Sequence, residues 1–129
     1  ILLEEGSDVT IAATGHLVWK ALEAAAKLAA EGISAEVLNY HTIKPLDEEA
    51  LLKSLAKTGA LVSAEEHQMA GGLGESLAGV LARKHPAPQE FVAVNDSFGE
   101  SGKPEELLLK YGLSTEAIYE AAKAAIARK

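Results

Sequence analysis

Cysteine is absent from the chain. Disulfides and thiolate-ligated metal sites are therefore excluded, which fits a reducing cytoplasm. Aromatic residues make up only 5% of the sequence, too few to build a stacking platform for bases. No run of apolar residues approaches the ~20 needed to span a bilayer. No cluster of lysine and arginine stands out from the acidic balance of 19 Asp and Glu against 12 Lys and Arg, a net charge of −7. A chain of that sign repels phosphate backbones, so no nucleic-acid partner is expected. With no basic amphipathic helix either, no membrane partner is expected. The opening Ile1-Leu2-Leu3-Glu4-Glu5-Gly6 has no basic leader and no long apolar centre, so it is not read as a signal peptide. It reads instead as a chain already under way, a segment of something longer.

What is present is a core-forming sequence of 129 residues, 48% of them hydrophobic and many of those alanine. That length suits one domain covering residues 1–129. Ile1–Leu3 is a candidate edge strand. The run Asp8–Thr14 favours β-structure and stops at Gly15. His16–Glu31 carries Leu17, Leu22, Ala25 and Leu28 or Ala29 on one side of a helix, with Gly32 placed for a left-handed stop. Ile33–Tyr40 reads as a strand. Asp47 is a cap for a helix to about Lys57, and Leu46 with Leu51 can staple its start. Ala60–Ala64 reads as a short buried strand and Glu65–Gly71 as polar loop. A helix opens at Gly72 or Gly74 and runs to about Lys84. Phe91–Val94 is a last strand. Pro104 opens a helix that ends near Tyr111-Gly112, and Ser114 caps a final one. Strands alternating with helices predict a three-layer α/β/α sandwich around a mostly parallel sheet of about five strands.

The segment that most invites chemistry is Glu65-Glu66-His67-Gln68-Met69-Ala70-Gly71-Gly72-Leu73-Gly74-Glu75. It follows a strand and opens a helix, where open α/β sheets bind ligands and where helix amides can hold an anion. His67, Gly71, Gly72 and Gly74 are its candidate site residues. Two features count against an anion. Gly-Gly-Leu-Gly matches neither the dinucleotide fingerprint nor the phosphate-binding loop, and Glu65, Glu66 and Glu75 add negative charge. The plainer reading gives the glycines to a tight turn and close helix packing. His16, after the first strand-to-helix turn, is a weaker ligand-facing candidate. The four histidines, His16, His41, His67 and His85, show no metal-ligand spacing. No serine sits in a Gly-x-Ser-x-Gly elbow. The residues by themselves name no reaction.

Three stretches resemble the carboxy-terminal domain of transketolases. They are Thr42-Ile43-Lys44-Pro45-Leu46-Asp47; Glu65-Glu66-His67 with Gly71-Gly72-Leu73-Gly74-Glu75; and Phe98-Gly99-Glu100-Ser101-Gly102-Lys103-Pro104-Glu105-Glu106-Leu107-Leu108 with Tyr111-Gly112-Leu113. Deoxyxylulose-phosphate synthases and 2-oxo-acid dehydrogenase β subunits share the first two more loosely. The third looks like animal-type transketolases and the small subunits of bacterial split transketolases. The resemblance implies a two-carbon ketol transfer between sugar phosphates by a parent enzyme that uses thiamine diphosphate and a divalent metal. It places those groups on separate pyrophosphate- and pyrimidine-binding domains, which become the expected partners, within a cytoplasmic homodimer. It puts no catalytic, metal-binding or cofactor-binding residue on this chain and predicts that the isolated domain is inactive. Its implied role is assembly, with the Gly71–Gly74 loop the place to look for a regulatory small molecule. The rival expectations are the carboxy-terminal domain of a deoxyxylulose-phosphate synthase or 2-oxo-acid dehydrogenase β subunit, and a stand-alone binding or regulatory domain.

Overall fold

The computed structural model describes residues 1–40, 47–66, 72–94 and 104–129, with Val94 and residues 104–113 described as backbone only. Five strands and four helices follow one another along it. They are β1 (Leu2–Glu4), β2 (Val9–Ala13), α1 (Leu17–Ala30), β3 (Ala35–Asn39), α2 (Glu48–Thr58), β4 (Leu61–Glu66), α3 (Leu73–Lys84), β5 (Gln89–Val94) and α4 (Pro104–Ala127). The sheet order is β1-β3-β2-β4-β5. β2, β3, β4 and β5 run parallel, and β1 pairs antiparallel with β3 at one edge. The expected mostly parallel five-stranded α/β sheet is what forms.

Strand alternation divides the core. Ile11, Ala13, Val37, Val62 and Val92 face one way, onto Leu17, Ala21, Ala24, Ala25 and Leu28 of α1 and Ile118, Tyr119, Ala122 and Ala125 of α4. Ala12, Leu38 and Leu61 face the other, onto Leu51 and Leu55 of α2 and Leu73, Leu77, Val80 and Leu81 of α3. The small residues of α1 and α4 let those helices pack closely, as an alanine-rich sequence permits. The chain moves from β2 outward to β3, then crosses back over β2 to reach β4. Right-handed crossovers in opposite directions put α1 and α2 on opposite faces. The carboxyl ends of β2 and β4 therefore lie side by side with their connections leaving to opposite faces, which is the topological switch point of such a sheet.

Caps follow the sequence where they are local. Asp47 Oδ1 accepts from the Ala50 amide at 3.0 Å, as its position predicts. Gly32 takes φ +81° just past α1. Leu46, the other half of the proposed staple, lies outside the described residues. Two expectations are corrected. β4 extends to Glu66, so Glu65 is a strand residue and not loop. α4 is one helix of 24 residues, where a break at Gly112 and a new cap at Ser114 were expected. A glycine inside a helix costs about 1 kcal/mol relative to alanine. The buried face that Ile118, Tyr119, Ala122 and Ala125 lay against α1 outweighs so small a local preference. Ser114 is buried within the helix instead of capping it.

One buried carboxylate ties the β1 side together. Glu36 is 2% exposed. It accepts from the Gly6 amide at 3.1 Å and from Lys57 Nζ. Burial pushes its carboxyl upward, but hydrogen bonds from Lys57, Ser54 and the Gly6 amide outweigh this and hold it below the usual glutamate value. A depressed folded-state pKa gives stability that is present above the unfolded value and lost as pH falls through the folded one. Urea unfolding should therefore show wild-type stability falling below about pH 4.5 more steeply than that of Glu36→Gln. Parallel acid limbs for the two proteins would contradict this account of Glu36.

Candidate functional site

The switch point gathers Thr14, Gly15 and His16 after β2 with Glu65 and Glu66 at the end of β4. Gly15 has φ +55°, and a Cβ there would lie 3.5 Å from Glu66 Oε1. The turn thus needs a residue at ease in the left-handed region and close to the neighbouring strand. His16 precedes α1, is exposed, and gives its side chain to no cap hydrogen bond. Thr14 is 5% exposed, and its hydroxyl has no hydrogen-bond partner among the described residues. His67 and Gly71 lie outside the described residues, as does His41.

The amino end of α3 is the best-defined part. Glu65 is 5% exposed. Its Oε1 accepts from the Leu73 amide at 3.2 Å and its Oε2 from the Gly74 amide at 2.6 Å. The carboxylate thereby satisfies two of the amides a helix start leaves open and sits at the positive end of the helix dipole. Gly72 is the N-cap residue and has no side chain to do this. Gln89 Nε2 reaches across from β5 to donate to Gly74 O at 3.0 Å and to Ser63 Oγ at 3.2 Å. Phe91 of β5 covers Gly74 so closely that a Cβ there would come within 2.7 Å of the ring. β4, α3 and β5 are locked at one point.

This arrangement decides what the Gly72–Gly74 turn can hold. An anion there would have to displace Glu65, and Glu66 beside it adds repulsion. A diphosphate does not fit these residues either. Among the described residues no group of three or more His, Cys, Asp or Glu could hold a metal ion. No helix among them is long and apolar enough to cross a membrane. The Glu65 cap had no sequence signal of its own, because the strand was expected to stop before it.

Comparison with known proteins settles the family. Residues 1–118 match the family described as transketolase, C-terminal domain. The chain belongs to that family. It is 52% identical over 128 residues to a 6-deoxy-6-sulfo-D-fructose transketolase subunit, SqwH, of Clostridium sp. (strain MSTE9), covering 99% of this chain and 40% of that protein. It is 44% identical over 118 residues to a putative transketolase C-terminal section of Methanocaldococcus jannaschii, covering 91% of this chain and 36% of that protein. A solved split-gene transketolase, described as an inactive beta4 tetramer, superposes with a TM-score of 0.85 at 49% identity, covering 98% of this chain and 42% of that one. The chain thus spans about two fifths of the length of these three relatives. The fold and the family expected from the three motif stretches are those found.

Proposed function

We propose that this chain acts as the carboxy-terminal domain of a transketolase-type enzyme, as a single unit over residues 1–129. The parent transfers a two-carbon ketol unit between sugar phosphates. Thiamine diphosphate and its divalent metal are held by the pyrophosphate- and pyrimidine-binding domains, and the cofactor supplies the carbanion chemistry. The chain itself contributes no reacting group. Its work is assembly, among domains of the same enzyme and between copies of it, in the cytoplasm. The carrying observation is 52% identity across 128 residues to a transketolase subunit. Support for copy-to-copy assembly comes from the tetramer named for the relative at 49% identity. The Glu65 cap supports reading the Gly72–Gly74 turn as structural, so that Gly72 and Gly74 need no anion to explain them.

A similarity of 42% over 115 residues to the 1-deoxy-D-xylulose-5-phosphate synthase of Heliobacterium modesticaldum keeps a second reaction in view. Assay separates the two. The chain alone should turn over nothing. Joined to the pyrophosphate- and pyrimidine-binding domains of its own source, it should move a ketol unit from a ketose phosphate to an aldose phosphate. Release of carbon dioxide from pyruvate by the joined enzyme, without ketol transfer, would overturn the transketolase reading in favour of the synthase.

A further inference from the structure

Both edges of the sheet are strands, and they are protected to different degrees. β1 has three residues and a register shift against β3, ends on Glu4 and is followed by Glu5. Short, irregular, charged edges resist pairing with other chains. β5 has six residues, Gln89-Glu90-Phe91-Val92-Ala93-Val94, with no proline, no lysine and no bulge against β4. Its one charged side chain, Glu90, is neutralised by Arg128. Among the described residues the guard at this edge is the Arg128 guanidinium at the Gln89 end, and Phe91, Val92 and Ala93 carry none.

The direction of its free backbone groups can be read from β4. The Pro88 carbonyl accepts from the Leu61 amide at 3.0 Å. Strand alternation then turns the backbone groups of Glu90 and Val92 toward β4 and those of Gln89, Phe91 and Ala93 outward. Arg128 Nη1 reaches the Gln89 carbonyl at 3.3 Å, as an outward group allows. The N–H and C=O groups of Phe91 and Ala93 have no partner among the described residues. Phe91 is 57% exposed, and Ala93 is exposed beside it on the same face.

We propose that β5 pairs antiparallel with β5 of a second copy of this chain, joining two five-stranded sheets edge to edge about a two-fold axis. The occupant is a second copy for two reasons. The relative at 49% identity is named as an assembly of four copies of one kind of chain. An antiparallel pair of identical strands is also self-complementary here: with the two-fold at Val92 it sets Phe91 of each copy opposite Ala93 of the other and brings no uncompensated charge to the seam. The inference rests on the assembly part of the function proposed above and is independent of the transferase part.

Sedimentation velocity of the 129-residue chain from ~1 to ~100 µM tests it. The wild type should associate within that range. Phe91→Lys and Ala93→Lys, each placing a cation at the seam, should weaken association at least tenfold, while Trp19→Ser, at another exposed aromatic, should leave it unchanged. Amide exchange on the unmodified chain should slow at Phe91 and Ala93 as concentration rises, a readout that does not depend on the variants folding. A wild type that stays monomeric at ~100 µM overturns the proposal. So do lysine variants that keep the assembled mass, or amides at Phe91 and Ala93 indifferent to concentration. Ketol transfer by the joined enzyme is scored separately, so a failed seam and a failed transferase reading are told apart.

Discussion

Gly74→Val should lower the unfolding free energy by about 3 kcal/mol, in the upper part of the range for overpacking a closed site. A Cβ at this position would lie 2.7 Å from Phe91 Cδ2 and 2.8 Å from Glu65 Oε2. The two neighbours differ in what they can yield. Phe91 is more than half exposed and can swing aside. Glu65 cannot, because its oxygens hold the Leu73 and Gly74 amides. Gly74→Ala brings one carbon and removes the helix penalty of glycine, about 1 kcal/mol, so its net cost should be only about 1 kcal/mol. Valine brings two more carbons on a stiff side chain, and at least one must meet the carboxylate. Urea unfolding of both variants measures the difference. If Gly74→Ala stabilised the chain as an open helical glycine would, the tight approach described here would be wrong.

How far the sequence discloses this fold depends on how local each feature is. β2 was readable because Asp8–Thr14 is an uninterrupted β-favouring run, and α2 because Asp47 caps its own next turn. Glu65 reads as loop in the sequence because two glutamates and a histidine look like solvated chain. Its strand hydrogen bonds and its two helix amides come from partners that only the fold brings near. Gly112 reads as a stop because its cost is local, while the burial of Ile118 and Ala122 against α1 that outweighs it is not. Strand order had no sequence signal, since the crossing of α2 over β2 is a property of the whole sheet. The family was legible from three motif stretches, much of which falls on residues 41–46, 67–71 and 95–103, outside the described structure. The resemblance therefore identified the chain largely through residues outside the described structure, while the described strands and helices supply the physical account.

Glu65→Ala should cost about 2–3 kcal/mol, the scale of losing charge-assisted hydrogen bonds at a buried helix start. Two amides lose their acceptor, the helix dipole loses its buried counter-charge and keeps only Glu75 in the first turn, and a gap opens beneath Gly74. Glu65→Gln should recover less than half of that. One oxygen can still accept from one amide, but the NH2 group then faces the other amide donor to donor. The loss should be local as well as global, with faster amide exchange at Leu73 and Gly74 in both variants. Sulfate then tests whether the turn is an anion site left empty or one filled from within. With the carboxylate removed, the freed amides at the amino end of α3 form a bare anion site, so added sulfate should raise the midpoint of Glu65→Ala more than that of wild type. Equal sulfate stabilisation of the two would mean that the wild-type amides are already open to anions. In that case Glu65 would not be the cap, and the turn at Gly72–Gly74 would regain its claim as a ligand site.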